Sequence, residues 1–254
     1  MDQQRLWRCG GLQILMRCVR PHRQPWPAWA CVLCALLHSA SVFAQSVPAS
    51  ELHLQIVLPA RNHNAPTPAV VWLKPVGEAH QLPFQAWKRY TLLQKNRMFT
   101  PHLLVIPVGS TVDFPNADPF FHNVFSLFDG KRFDLGLYEA GSDKQVVFSR
   151  EGVSYIFCNI HPEMSAVVVA LSTPLYGIAD ASESVVIHNI PLGEYSLNIL
   201  VEGVPQATLS GLARRIHVGP GITNLGNITI PVVPTTGHTN KFGGKYDTTT
   251  KPPY

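Results

Sequence analysis

The sequence predicts an all-β fold made of two successive β-sandwiches. Short apolar stretches, several of them with alternating polar positions, recur along the chain, and turn-forming residues separate them at close intervals. The 22 prolines and 18 glycines are spread widely, which favours short strands over long helices. With 254 residues, of which 46% are hydrophobic and 14% charged, the chain is long enough for two modest folded domains.

The first predicted domain, 50–172, consists of short strands bounded by turn and loop signals. Residues 52–58 alternate apolar and polar positions, as a half-buried strand does. The segment 115–119 has strong loop chemistry, and Asp129-Gly130 predicts a tight hairpin. The predicted strands are 52–58, 69–75, 90–99, 103–108, 111–114, 122–127, 131–135, 145–149, 153–158 and 166–171.

A second, smaller β unit is predicted after a boundary near Ser172 to Pro174. Its apolar positions alternate at Tyr195, Leu197 and Ile199, which is typical of a strand. The predicted strands are 177–179, 184–187, 194–201, 207–212, 216–217 and 227–230. The unit is assigned to 173–233, and the segment 234–254, which has little apolar content, is predicted to be a disordered tail.

The N-terminal segment, 1–44, is predicted to be a cleaved export signal. Arg17, Arg20 and Arg23 precede an apolar run at 29–37, and small residues follow it up to Ala44. We therefore expect a periplasmic protein, with a retained anchor as the alternative. No later segment offers the 18 or more apolar residues of a membrane helix, so no transmembrane span is expected in the mature chain.

The net charge argues against nucleic acid as a partner. The chain has 20 basic and 16 acidic residues, and the first 44 positions hold five of the basic residues and one of the acidic ones. Removal of the signal leaves 15 of each sign. A protein that binds nucleic acid is expected to show a clustered basic face.

Signal removal leaves Cys158 as the only cysteine of the mature chain, because the other four lie at 9, 18, 31 and 34. Exported proteins usually pair their thiols, and an odd cysteine points to a reactive or metal-binding role. The alternative is a buried and inert thiol.

Cys158, His161 and Met164 form the stretch Cys-x-x-His-x-x-Met directly after a predicted strand. A thiolate, imidazoles and a weak axial thioether are the ligands of electron-transfer copper sites. The missing second imidazole is assigned to His122, which begins a strand after the turn-rich loop. The predicted metal ligands are therefore His122, Cys158, His161 and Met164, and the predicted cofactor is one copper ion.

These motifs resemble the cupredoxins, the type 1 blue copper proteins. The resemblance lies in Thr-Val-Asp-Phe-Pro-Asn at 111–116, His-Asn-Val at 122–124 and the Cys-x-x-His-x-x-Met loop, which has the short amicyanin-like spacing. It implies a Greek-key β-sandwich with imidazole nitrogens of two histidines, a Cys158 thiolate and a long axial Met164 sulfur. It also implies that Asn123 ties the first-ligand loop to the cysteine loop.

The same resemblance implies an apolar rim around an exposed edge of His161, where an electron would enter or leave. Phe120, Phe121 and Pro162 would form that rim. His102 is left open as a surface residue, a group near the ligands or a replacement donor.

The second unit resembles carboxypeptidase regulatory-like (transthyretin-like) β-sandwich modules. The matching positions include Tyr176-Gly177, Ala179-Asp180-Ala181, Ile190-Pro191, Gly193 and Tyr195. The region 50–232 as a whole resembles periplasmic cupredoxin-like proteins associated with methylamine utilisation. Carboxypeptidase regulatory-like modules usually carry no chemistry of their own, so a structural role is expected for the second unit.

The predicted function is one-electron transfer with a redox partner protein. The alternatives are copper delivery or resistance, and a structural protein whose copper site is vestigial. An enzyme is not expected, because Cys158 and His161 lack a third orienting group of the kind found in Cys–His hydrolases.

Overall fold

The computed structural model describes residues 50–59, 67–77, 82–86, 89–127, 130–231 and 240–245. The chain divides into two units, Met1–Gln45 and Ser46–Tyr254, and the first lies outside the described residues. The predicted export signal at 1–44 therefore also lies outside them, as does most of the predicted tail.

The described residues form strands β1–β17 and one short helix, α1, which confirms the all-β fold class. Among these residues, no helix is long and apolar enough to cross a membrane. In chain order the elements are β1 (Ser50–Val57), β2 (Ala69–Pro75), β3 (Arg89–Thr91), β4 (Leu93–Lys95), β5 (Met98–Thr100), β6 (Leu103–Pro107), β7 (Thr111–Asp113), β8 (His122–Ser126), β9 (Phe133–Tyr138), β10 (Gln145–Val147), β11 (Gly152–Cys158), β12 (Ser165–Leu171), β13 (Tyr176–Ile178), β14 (Ser184–Ile190), β15 (Gly193–Val201), α1 (Gln206–Ser210), β16 (Arg214–Val218) and β17 (Ile222–Thr229).

One sandwich joins the first two strands to the C-terminal strands. Its sheets have the strand orders β14-β1-β17 and β13-β2-β15-β16. In β1 the buried positions Leu52, Leu54 and Ile56 alternate with half-buried ones, so the apolar face of the strand packs into the core.

The second set of sheets carries the predicted ligands. A five-stranded sheet has the order β6-β12-β11-β8-β9, a three-stranded sheet has the order β10-β7-β3, and β4 pairs with β5. The buried side chains of Phe114, Phe148 and Ile156 belong to the core that these sheets share with Cys158 and Met164. The predicted ligands therefore lie at the edge of an apolar core.

Strand β12 separates the two cores, which explains its continuous apolar sequence. Val167, Val169 and Leu171 belong to the core of the first sandwich, whereas Val168 and Ala170 belong to the core beside the ligands. Successive side chains of a strand point to opposite faces, so a strand covered on both faces needs apolar residues throughout.

Three features differ from the sequence expectation. Strands β1 and β2, which the sequence assigns to the domain 50–172, pair with strands that follow residue 173. Local alternation predicts a strand but does not specify its partner. The predicted strand 207–212 is wrong, because Gln206–Ser210 is helical after Pro205, and only Leu209 of that helix is buried.

The predicted strand 90–99 is divided into β3, β4 and β5. Asn96 and Arg97 adopt positive φ angles of 55° and 56° and form the tight turn between β4 and β5. The backbone N–H groups of this turn donate to the carboxylate of Asp118, which lies beside the predicted ligand His122.

Candidate metal centre

The hairpin of β11 and β12 carries three of the four predicted ligands: Cys158 ends β11, and His161 and Met164 lie in the connection to β12. These strands are antiparallel neighbours, and residues 159–164 connect them; we call this connection the metal-site loop. The backbone N–H of Cys158 donates to the carbonyl oxygen of Met164 at 3.1 Å, and the N–H of Met164 donates to that of His161 at 3.0 Å. The loop is thus closed on itself by backbone hydrogen bonds.

Strand β8 brings His122 to this loop. Cys158 is paired with Val124 in the antiparallel β8–β11 ladder, and the N–H of Asn159 donates to the carbonyl oxygen of Asn123 at 3.1 Å. His122, the first residue of β8, consequently lies beside the cysteine although the two are far apart in the chain.

The structure brings His122, Cys158 and His161 together as a buried cluster. The Nδ1 atoms of His122 and His161 are 3.7 and 3.6 Å from Cys158 Sγ, and they are 3.2 Å from each other. All three ligand atoms lie within 4.8 Å of one another. The side chains are almost fully buried, with 0% of Cys158 and 2% of His161 exposed.

Met164 is also fully buried, in the same core cluster as Cys158. Its backbone hydrogen bonds with Cys158 and His161 help to close the metal-site loop. The thioether remains a predicted ligand.

Burial favours the neutral form of both imidazoles, which is the form that binds a metal. Burial lowers the pKa of His122, and the carboxylate of Asp118 acts in the opposite direction. Burial and the nearby His122 lower the pKa of His161. The two Nδ1 atoms face the same small volume, 3.2 Å apart.

Burial raises the pKa of the Cys158 thiol, and backbone hydrogen bonds, that of Asn123 among them, oppose the shift. A cation that binds here must therefore displace the thiol proton. The donor set of one sulfur and two imidazole nitrogens fits copper, since thiolate and imidazole are both ligands of that metal.

Asp118 fixes the orientation of His122, and the sequence reasoning did not identify it. Its Oδ2 lies 2.9 Å from Nε2 of His122, and the Asp118 carboxylate also accepts the backbone N–H groups of Asn96 and Arg97 at 2.6 and 3.0 Å. With the proton on Nε2, Nδ1 is left free as a ligand. The detectable signal was an acid four residues before the histidine, inside a segment assigned to loop chemistry.

Asn123 connects the two loops in a different way from the one the resemblance implied. Its backbone carbonyl oxygen accepts the N–H of Asn159, while its side-chain Nδ2 donates to Asp134 Oδ1 at 2.7 Å. The side chain thus binds the neighbouring strand β9.

The expectation of an exposed His161 edge is wrong, because only 2% of the residue is exposed. The ring of Phe120 lies 5.5 Å from that of His161 and 5.3 Å from that of His122. The guanidinium of Arg97 lies over Phe120, at 5.3 Å from the ring centroid. Among the described residues, Nε2 of His161 has no hydrogen-bond partner.

The other residues expected near this edge behave differently. Phe121 is 44% exposed, and Pro162 is half-buried.

His102 does not belong to the ligand cluster: its Nδ1 is 3.0 Å from the carbonyl oxygen of Ser165, and its Nε2 is 2.8 Å from Glu202.

Several solved structures are similar to this chain, and cupredoxins are among them. A purple cupredoxin from Nitrosopumilus maritimus is 29% identical, with a TM-score of 0.29, and the match covers 33% of this chain and 98% of that one. A copper-containing nitrite reductase from Thermus scotoductus SA-01 is 24% identical, with a TM-score of 0.32, over 39% of this chain and 25% of that one. A reduced amicyanin variant is 20% identical, with a TM-score of 0.31, over 39% of this chain and 99% of that one.

No protein-family model matches the chain, and no curated protein matches it.

Proposed function

We propose that this chain is a type 1 copper protein that transfers one electron at a time. The observation that carries the proposal is the buried convergence of Cys158 Sγ and two histidine Nδ1 atoms within 4.8 Å. One thiolate and two imidazoles form the trigonal ligand set of electron-transfer copper sites, and Met164 would be the weak axial ligand. The strands around this cluster would form a cupredoxin-like domain.

The chain contributes a rigid and dry environment. Hydrogen bonds restrain the predicted ligands before any metal arrives. They lie within the metal-site loop, between Asn159 and Asn123, and between Asp118 and His122. Bound copper would supply the one-electron couple. Ligands that hardly move between oxidation states favour fast electron transfer, because little reorganisation is needed.

A carrier is better supported than an enzyme. Cys158 is fully buried and Phe120 covers His161, so a substrate molecule has no direct access to the sulfur. An electron needs no such access. Burial also raises the pKa of the thiol, which opposes use of Cys158 as a nucleophile.

The remaining parts of the proposal concern location and partner. The basic and apolar pattern of 1–44 supports export to the periplasm, and the balanced charge of the remaining chain is unlike that of a nucleic-acid-binding protein. A redox protein of the same compartment would exchange electrons with the site. The sandwich that joins β1 and β2 to the C-terminal strands would serve as a structural module.

Voltammetry of the copper-loaded mature protein tests this function. An electron carrier should give a reversible one-electron wave. Tight binding of Cu(I) with no reversible wave would instead favour copper delivery or resistance. Absence of binding in either oxidation state would indicate a structural protein with a vestigial site.

A further inference from the structure

The segment 240–245 folds into a turn that lies on the metal-site loop, although sequence composition predicts disorder there. Asn240 organises the turn. Its Oδ1 accepts the backbone N–H groups of Phe242 and Gly244 at 3.0 Å each, and its own N–H donates to the carbonyl oxygen of Gly244 at 2.9 Å. An asparagine that binds the backbone a few residues ahead stabilises a turn without an apolar core.

Lys241 joins this turn to both sides of the metal centre. Its backbone N–H donates to Oδ1 of Asn159 at 3.1 Å, and its Nζ donates to Oδ2 of Asp134 at 2.9 Å. The side chain of Lys241 is 23% exposed, so it is largely held against the protein. Asn159 belongs to the metal-site loop, and Asp134 belongs to β9.

These contacts close a ring of four residues. Asn159 donates its backbone N–H to Asn123, Asn123 donates its side-chain amide to Asp134, and Lys241 binds Asp134 and Asn159. Asn123 directly follows His122, and Asn159 directly follows Cys158. The ring is therefore anchored beside two ligands that come from different strands.

We propose that the segment 240–245 is a C-terminal clamp that restrains opening of the metal-site loop and slows copper exchange. The inference rests on the proposed copper site. His122, Cys158 and His161 are buried, so an ion needs a local opening to enter or leave, and separation of the loop from β8 is the opening that the clamp would oppose. That separation breaks the Asn159–Asn123 bond, and the clamp adds the two bonds of Lys241 to those that must break.

Two variants with matched controls test the clamp. A chain ending at residue 239 removes the segment, and Lys241→Met removes only the ammonium group. Lys241→Arg keeps a cation that can reach Asp134, and Lys245→Met changes an exposed lysine of the same segment. Hydrogen exchange of the Asn159 and Met164 amides in the copper-free protein reports loop opening. The rate of copper transfer to a chelator reports ion exchange.

We expect both rates to rise about threefold to tenfold in the shortened chain, which is the effect of losing a few exposed polar contacts. Lys241→Met should show part of the increase, while Lys241→Arg and Lys245→Met should stay close to the parent protein. Unchanged amide exchange or unchanged copper transfer in the shortened chain would overturn the clamp. Failure of the proposed function is visible separately, as a protein that binds no copper while its loop amides still respond to the truncation.

Discussion

Nε2 of His122 and Oδ2 of Asp118 lie 2.9 Å apart, and both side chains are buried. This hydrogen bond holds the imidazole proton on Nε2 and directs Nδ1 towards Cys158 and His161. The carboxylate is in turn held by two backbone N–H groups of the β4–β5 turn. Although burial opposes it, these hydrogen bonds and that of His122 lower the pKa of Asp118, so the group is a carboxylate at neutral pH.

Asp118→Asn should weaken copper binding by about tenfold, because partners that orient a metal-binding histidine typically contribute ten- to a hundredfold in affinity. The amide can still occupy the site but no longer selects one histidine tautomer by charge. Competition with a chelator of known affinity measures the loss. Asp143→Asn, at an exposed position outside the cluster, is the control and should leave affinity unchanged.

Met164→Leu should raise the reduction potential of the copper site. A thioether donor stabilises Cu(II), and leucine fills a similar volume without donating electrons. We expect a rise of roughly 59 mV. For a one-electron couple, this corresponds to a tenfold change in the relative affinity of the site for Cu(I) and Cu(II). Met98→Leu, at a position that is 56% exposed, should leave the potential unchanged. An unaltered potential in Met164→Leu would show that the sulfur is not a ligand.

Phe120→Ala should lower the potential, because it admits water to the His161 side of the site. A copper ion with one thiolate carries one more positive charge when oxidised, and water stabilises the more highly charged form. Phe121→Ala is the matched control, since that ring is 44% exposed. An equal shift in both variants would contradict the role of Phe120 as the cover of His161.

The His102–Glu202 pair should make stability fall as the pH rises above about 6.5. The hydrogen bond with Glu202 raises the pKa of His102 above its ordinary value, against the effect of burial. A raised pKa gives stabilisation that is complete below the unfolded-state value and is lost as the pH passes the folded-state value. The pair is partly exposed, so the effect should be below about 1 kcal/mol.

Denaturant unfolding of the copper-free protein between pH 5.5 and 8.5 measures this dependence. His102→Gln keeps a hydrogen-bonding side chain without a titratable charge, and it should remove the part of the pH dependence that comes from the pair. An identical pH profile in that variant would exclude the pair as its source.

Most of the strands and the candidate pair Cys158 and His161 could be predicted from the sequence, because both depend on local patterns. Alternating apolar residues mark β1, and the spacing of Cys158 and His161 marks a metal loop. The pairing of β1 with β14 and β17 could not be predicted, since local alternation does not identify a partner distant in sequence.

The surroundings of the candidate ligands could not be predicted either, because their contacts come from segments that are distant in the sequence. Phe120, whose ring lies against that of His161, and Arg97, whose guanidinium lies over Phe120, come from other segments of the chain. The role of Asp118 requires the β4–β5 turn to supply two N–H groups. Likewise, the turn at 240–245 is stabilised by polar contacts of Lys241 that composition does not reveal.

The visible spectrum of the mature protein loaded with Cu(II) shows whether Cys158 binds the copper ion. A copper ion bound by the Cys158 thiolate should give an intense thiolate-to-copper charge-transfer band, and Cys158→Ser should abolish the band while the fold persists. Cys158 is a free cysteine, so this substitution breaks no disulfide. A colourless copper-loaded protein, or a band that survives in Cys158→Ser, would mean that this is not a type 1 copper site.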